Sequence, residues 1–312
     1  MKQTATELAT NPGSDPSAIR GAAAGLKGVL CATDLSARST RVVQRAAFLA
    51  NRFDARLTLL HVMAPDRPGD PPAHVRKQMV RQLPLTLLPE GSEPKITLRT
   101  GDHVRTIAAV AKQTGTDLIV LGSRQRAPLA PLIGPTAERV AGLSGCPTLI
   151  VNIEPRMRYG AVVVAAEISD AFVRVARLAA SLRLLDAPSV SIVHGLESAY
   201  RGPMYATGFD VHSAKRYLDE WENAARKRLL LMLDAAGVDS SHFRLCFQQT
   251  RPLRAIQREI RRIQPELLIV GTKDRSMLDR IVRGSGANDM LRSLECDILV
   301  AAPDVDATAP LH

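Results

Sequence analysis

Short apolar runs and longer amphipathic stretches alternate along almost the whole chain. The runs GVLCAT, LTLLHV, KITLR, DLIVLG and TLIVN are mostly continuous rather than strictly alternating, the pattern of strands buried on both faces. They predict strands near residues 28–33, 57–62, 95–99, 117–122 and 148–152, and again near 161–166, 189–194, 243–248, 266–271 and 297–301. The intervals carry a helical period. Val42, Val43, Ala46, Ala47 and Ala50 share one helical face after the first strand, and Val175, Ala176, Ala179 and Ala180 do the same later. Trp221 to Asp234 reads as a long amphipathic helix, and the proline-rich stretch Pro65 to Pro72 as a loop. Strands alternating with helices in this way predict an α/β fold: an open parallel sheet with helices on both faces.

The pattern is written twice. DLIVLG from Asp117 matches ELLIVG from Glu266; each leads through a basic, polar stretch to Gly134 or Gly284, then to Cys146 or Cys296 and a second aliphatic run. Gly122 and Gly271 stand 149 residues apart, Cys146 and Cys296 stand 150 apart, so the first copy is one residue shorter between its glycines. Upstream, Asp34 matches Glu167 and His61 matches His194, both at a spacing of 133. The second copy therefore carries about 16 extra residues after its second strand, within GLESAYRGPMYATGFDVHSAKR. The reading is a mobile arm over 1–25, a first domain over 26–154, a second over 158–303, and a tail over 304–312. Each domain is expected to hold its own five-stranded sheet, and a single sheet running through the chain would count against that division. Pro155 and Gly160 punctuate a linker short enough to hold the domains close.

Composition sharpens this picture. At 312 residues, with 46% hydrophobic and 23% charged, the chain has apolar material for two cores, but only 4% is aromatic, so those cores must be aliphatic. No apolar run reaches the ~20 residues that span a bilayer, and the N-terminal stretch lacks the continuous apolar segment of a signal peptide; a cytoplasmic location is the expectation. Cys31, Cys146, Cys246 and Cys296 lie in or beside apolar runs without CxxC or histidine at ligand spacing, which predicts small buried thiols rather than metal or disulfide roles. The formal net charge of +10 favours anionic partners, yet the arginines are scattered, apart from Arg251, Arg254, Arg258, Arg261 and Arg262 on one predicted helix. That cluster reads first as a solvated helix face and second as a nucleic-acid surface.

In open parallel sheets, ligands bind beyond the carboxyl ends of the strands. Asp34 and Gly122 fall there in the first copy, with Gly134 and Thr136 opening the next helix; Glu167, Gly271, Gly284, Ser285 and Gly286 take the same places in the second. A carboxylate can accept from a sugar hydroxyl, and glycines before a helix let backbone N–H groups approach a phosphate. Structural glycines in a packed turn are the alternative reading. Gly271-Thr-Lys-Asp274 followed by Gly284-Ser285 resembles the G-x2-G-x9-G-(S/T) loop of the universal stress protein family, which also places an aspartate after its first strand. The resemblance covers residues 26–154 and 158–303. It implies an adenine-nucleotide alpha-hydrolase-like fold, and ATP or another adenine nucleotide, with Mg²⁺, held by these residues, mainly in the second copy. Asp274 replaces the middle glycine and adds negative charge, which Lys273, Arg275, Arg280 and Arg283 partly offset. The first copy has Gln125 at that place and Pro135, which lacks an N–H, for the usual Ser or Thr. The family also pairs domains through their last strands, which here implies pairing within one chain near Leu149 and Leu299, with homodimerisation of the whole chain as a further expectation.

Three functions follow in order: a non-enzymatic, nucleotide-binding stress-response protein; a nucleotide-free scaffold acting through protein partners; and nucleic-acid binding through the Arg251–Arg262 helix, ranked last because stacking aromatics are scarce. No catalytic residue is assigned. His61 and His194 have no serine or cysteine nucleophile in a recognisable motif and read as strand-end residues with a local hydrogen bond. His74, His103, His212, His242 and His312 are dispersed, which predicts no metal site, and no GxxxxGK[ST] loop is present.

Overall fold

The computed structural model describes residues 25–64, 73–83, 87–88, 93–122, 135–196, 211–271 and 296–301. Residues 1–24 of the expected 1–25 arm, the 65–72 loop and the tail over 304–312 lie outside them. Ten strands are described: β1 Gly28–Ala32, β2 Arg56–Met63, β3 Lys95–Thr100, β4 Leu118–Gly122, β5 Thr148–Val151, β6 Ala161–Ala165, β7 Ser189–Gly195, β8 Arg244–Gln248, β9 Leu267–Gly271 and β10 Asp297–Ala301. Seven α-helices are described with them, besides a 3-10 turn at Leu184–Asp186: α1 Ser39–Phe53, α2 Ala73–Gln82, α3 His103–Thr114, α4 Pro135–Ser144, α5 Asp170–Ser181, α6 Val211–Ala235 and α7 Pro252–Ile263. Every predicted strand is found within a residue or two.

The sheet order is β3-β2-β1-β4-β5-β10-β9-β6-β7-β8. Each half has the same internal order, its first strand lying between its second and its fourth. All pairings within a half are parallel, and the one between halves, β5 with β10, is antiparallel. Separate sheets were the expectation, and this is corrected: the strands form one continuous ten-stranded sheet. The reason is the inter-domain pairing itself, in which Leu149 faces Leu299 in register. Each half would otherwise leave the apolar edge of β5 or β10 with unpaired backbone groups, and their union removes both edges. The remaining edges, β3 and β8, carry Lys95, Arg99 and Arg244, charges that discourage further pairing.

Strand side chains alternate between two cores. Val29, Cys31, Leu59, Leu149, Val162 and Leu299 face one side with α1, α2, α5 and α6. Leu30, Leu60, Ile150, Val163 and Ile298 face the other with α3, α4 and α7. Both cores draw on both halves, so the domains share their apolar interior. Small side chains decide how near a helix comes: Ala46, Ala47, Ala50 and Ala179 are fully buried. α3 is closed at both ends, Asp102 accepting from the Arg105 N–H at 2.9 Å and Gly115 taking a left-handed φ of 59°.

Matching carboxylates tie strands together within each half of the repeat. Asp117 accepts from the N–H groups of Lys27 and Gly28 at 2.8 and 2.9 Å, and Glu266 accepts from that of Gly160 at 2.6 Å, tying the start of each first strand to that of its fourth. The junction adds an asymmetric bolt. Asp297, with no exposed surface, accepts from Tyr159 Oη at 2.7 Å and from the N–H groups of Asn152 and Ile153 at 2.8 and 3.1 Å, while Arg45 Nη2 lies 3.4 Å away. The Arg45 guanidinium stacks on the Tyr159 ring, 4.4 Å from its centroid. Burial pushes the Asp297 carboxyl up; Arg45, Tyr159 and the two backbone donors pull it back, leaving it above the usual carboxylate range.

Candidate functional site

In each half the strand order reverses between the first and the fourth strand, whose carboxyl ends define the crevice of an open α/β sheet. The structure brings the predicted pairs to that place. Asp34 follows β1 and Gly122 ends β4; Glu167 follows β6 and Gly271 ends β9. Thr136 is half-buried at the second position of α4. Gly134, Gly284, Ser285 and Gly286, with the substituted positions Gln125 and Asp274, lie outside the described residues.

The first rim is tightly organised. Asp34 is exposed, and its Oδ1 accepts from the Ser36 N–H at 3.0 Å and from the Ser39 hydroxyl. Partial burial would raise its carboxyl, but these hydrogen bonds outweigh that and hold it below the usual range. Leu35 takes a left-handed φ of 63° in the same turn. α2 leans over this turn: Gln82 accepts from the Thr33 hydroxyl at 2.7 Å and donates to the Ser36 carbonyl at 3.0 Å, and Gln78 donates to the Leu35 carbonyl at 3.1 Å. No sequence signal marked these glutamines, because their role depends on where α2 docks. The second rim is simpler. Glu167 is exposed, its carbonyl accepting from the Ser169 N–H at 2.8 Å, and the buried Ser169 hydroxyl has no hydrogen-bond partner.

Packing gives Gly122 and Gly271 a reason of their own. A Cβ at Gly122 would meet Val42 Cγ2 at 3.0 Å, and one at Gly271 would meet Val175 Cγ2 at 2.9 Å. Val42 and Val175 are themselves repeat partners, so in both copies a side chain at this strand end would force the same helix valine to shift. Gly195 is a third such position: a Cβ there would lie 2.6 Å from Pro252 Cα, at the start of α7.

The paired histidines keep the repeat's spacing in their bonds. His61 Nδ1 lies 2.9 Å from the Thr33 carbonyl and His194 Nδ1 lies 2.8 Å from that of Ala166. Each ties the end of its second strand to the turn after the first. Burial lowers the pKa of His194, partly offset by the bond to Ala166 and the charge of Glu167.

Arg251, which precedes α7, and Arg254, Arg258, Arg261 and Arg262 on it are all exposed, while Ala255, Ile256 and Ile260 are buried. Among them sits a group the sequence did not single out. Glu259, 1% exposed, accepts from Ser191 Oγ at 2.6 Å and from Arg262 at 2.7 and 3.1 Å, with Arg244 3.6 Å away. Part of the arginine cluster is thus the counter-charge of a buried carboxylate. Cys31, Cys146 and Cys296 are buried free thiols as expected, and burial raises their pKa values. Cys246 is only half-buried, a correction that follows from its place on the edge strand β8. Among the described residues no cluster of His, Cys, Asp or Glu is arranged to hold a metal, and no helix is long and apolar enough to cross a membrane.

A universal stress protein family model matches residues 25–152 and again residues 158–302, so the chain belongs to the universal stress protein family and carries two of its domains in tandem. Among solved structures, a functionally unknown protein from Pseudomonas aeruginosa PAO1 is 19% identical with a TM-score of 0.60, over 89% of this chain and 93% of its own. A universal stress protein from Archaeoglobus fulgidus DSM 4304 is 18% identical with a TM-score of 0.53, over 88% and 96%. Both likenesses run nearly the full length of both chains and concern the fold. No curated protein matches the sequence significantly.

Proposed function

We propose that the chain is a non-enzymatic stress-response protein that binds ATP or another adenine nucleotide, mainly in its second domain, in the cytoplasm. The observation that carries this reading is the pairing of an exposed carboxylate with a glycine strand end at each crevice, together with the Gly271 to Gly284-Ser285 spacing of the second copy. The described residues fit such a ligand in one respect. Since the bonds from Ser36 and Ser39 fall on Asp34 Oδ1, its Oδ2 is the oxygen a ribose hydroxyl would meet in the first copy, and the exposed Glu167 carboxylate takes that part in the second. A bound Mg²⁺ would relieve repulsion between phosphate and Asp274. Calorimetric titration with ATP and Mg²⁺ tests the proposal: saturable heat that diminishes in Glu167→Ala supports it, and no heat at millimolar nucleotide removes it.

A second reading rests on the packing of the glycines. The close approach of Val42 and Val175 favours glycine at 122 and 271 whether or not a ligand is present, and Gln78 and Gln82 already engage the first turn. On that reading the chain is a scaffold that acts through protein partners, as a monomer or a homodimer, without nucleotide. Tightly bound ATP released from the purified protein would exclude it. Nucleic-acid binding through α7 ranks below both, because Arg262 and Arg244 already serve Glu259.

A further inference from the structure

A second concentration of charge lies at the junction of the two domains, among residues that belong to neither glycine rim. The linker runs along one face of α1. Arg41 Nη1 donates to the Asn152 carbonyl at 2.6 Å, Arg45 Nη1 to the Arg156 carbonyl at 2.7 Å, and Arg52 Nη2 reaches Asp186 in the second domain at 3.9 Å. Where α1, residues 157–159 and the turn after α5 meet, a crevice of about 30 Å³ opens.

Four arginines and one acid line it: Arg45, Arg52, Arg158, Arg183 and Asp186. Arg45 is matched by Asp297 behind it. Among the described residues Asp186 is the one carboxylate that lines the crevice, and it takes Arg183 Nε at 2.7 Å and Arg52 more distantly. Two positive charges are therefore left over at the crevice. The inner wall is also short of acceptors. Arg45 is 3% exposed, its Nε makes no hydrogen bond, and its Nη2 has only the 3.4 Å ion pair. Buried donors are normally satisfied, and each unmade bond to a charged group is costly. Burial and the nearness of Arg183 and Arg158 lower the pKa of Arg52, with Asp186 acting against them. Arg183 holds its place through a left-handed φ of 53°, unusual for a residue with a side chain.

We infer that this crevice binds a dianionic phosphoryl group. A volume of 30 Å³ is about two to three times the roughly 10–15 Å³ that admits one water, so the crevice takes two or so oxygens of one phosphoryl group and is too small for a whole nucleotide. Two surplus positive charges match a phosphate dianion. Guanidinium groups offer paired donors to oxyanions, and phosphate presents three oxygens to several of them at once. The walls come from the first domain, the linker and the second domain, so a bound phosphoryl group joins all three and stabilises the junction by mass action. The inference is independent of nucleotide at the rims.

The test uses the full chain in low-chloride buffer without phosphate or sulfate. Inorganic phosphate, tripolyphosphate and ATP are titrated by calorimetry and by thermal unfolding against the natural protein, an Arg52→Gln/Arg183→Gln variant and an Arg254→Gln control on α7. Tripolyphosphate is expected to raise the unfolding temperature saturably. The double variant should bind it at least about tenfold more weakly, and the control should not. Saturation by inorganic phosphate at similar affinity identifies a single phosphoryl head as the ligand; saturation by tripolyphosphate alone identifies a polyphosphate chain. ATP binding that survives in the double variant while tripolyphosphate binding is lost separates the crevice from the glycine rims and supports it. Should the double variant fail to fold, Arg158→Gln makes the same comparison from an exposed position. Equal tripolyphosphate affinity in the natural and variant proteins, or no saturable binding at low salt, overturns the inference.

Discussion

Gly271 and Val175 show how one residue can satisfy two demands. The glycine opens the stretch that resembles the family's G-x2-G-x9-G-(S/T) loop, and it also stands where a Cβ on β9 would crowd Val175 of α5. Gly271→Ala is therefore expected to cost about 1–3 kcal/mol through overpacking, irrespective of ligand. Urea unfolding in a Val175→Ala background separates the two demands: most of the cost should vanish once the valine is trimmed. A cost unchanged in that background would mean that the contact is not what excludes the side chain. Asp297 makes a different case, since its position in an apolar run gave no sign of a charged role. Asp297→Asn keeps an acceptor for Tyr159 but leaves Arg45 buried without its counter-charge. A loss of about 3–5 kcal/mol is expected on chemical unfolding, and a change below 1 kcal/mol would show that Arg45 finds its compensation elsewhere.

At the scale of elements, α7 illustrates what composition leaves out when a buried partner is hidden. Its arginines read first as a solvated face and second as a nucleic-acid surface, and they are exposed, but the helix is also anchored by Glu259 against Ser191 on β7, with Arg262 and Arg244 around it. Burial alone would raise the Glu259 carboxyl; the bonds from Arg262 and Ser191 outweigh it, and the folded pKa lies below the ordinary 4.5. A carboxyl depressed on folding adds stability above its unfolded pKa and loses it as the pH falls through the folded value. Stability of the natural chain should therefore decline below about pH 4.5 more steeply than that of Glu259→Gln. Parallel acid-unfolding curves for the two would refute this role. The same comparison bears on α2, whose glutamines clasp the first rim: Gln82→Ala should loosen the 33–36 turn, read as faster amide exchange at Leu35 and Ser36.

At the scale of the molecule, the pairing of β5 with β10 turns two domains into one sheet. Isolated, the first copy would expose Thr148–Val151 as an apolar edge with unpaired backbone groups. Residues 25–154 expressed alone are expected to self-associate through β5, measured by sedimentation equilibrium. A folded half that stays monomeric would show that the edge is protected by other means. The junction also explains why the repeat is not symmetric in detail. Asp297 occupies the place of Pro147 in the first copy, and Arg45 that of Leu178 in the second, so only one side of the junction carries the charged bolt.

By itself the sequence determined the ten strands and the duplicated order, because continuous aliphatic runs and repeat spacings are local signals that packing has no cause to override; the pairing near Leu149 and Leu299 was implied only by the family resemblance. The sequence also placed Asp34, Gly122, Glu167 and Gly271 at the strand ends, since the carboxyl end of a parallel strand is fixed once the strand is. Tertiary structure alone decided what those residues touch. Val42 and Val175 against the glycines, the glutamines of α2 over the first turn, the buried carboxylates Glu259 and Asp297, and the arginines gathered at the junction join positions distant in sequence. Their energies come from close approach and exclusion of water, which no spacing along the chain records.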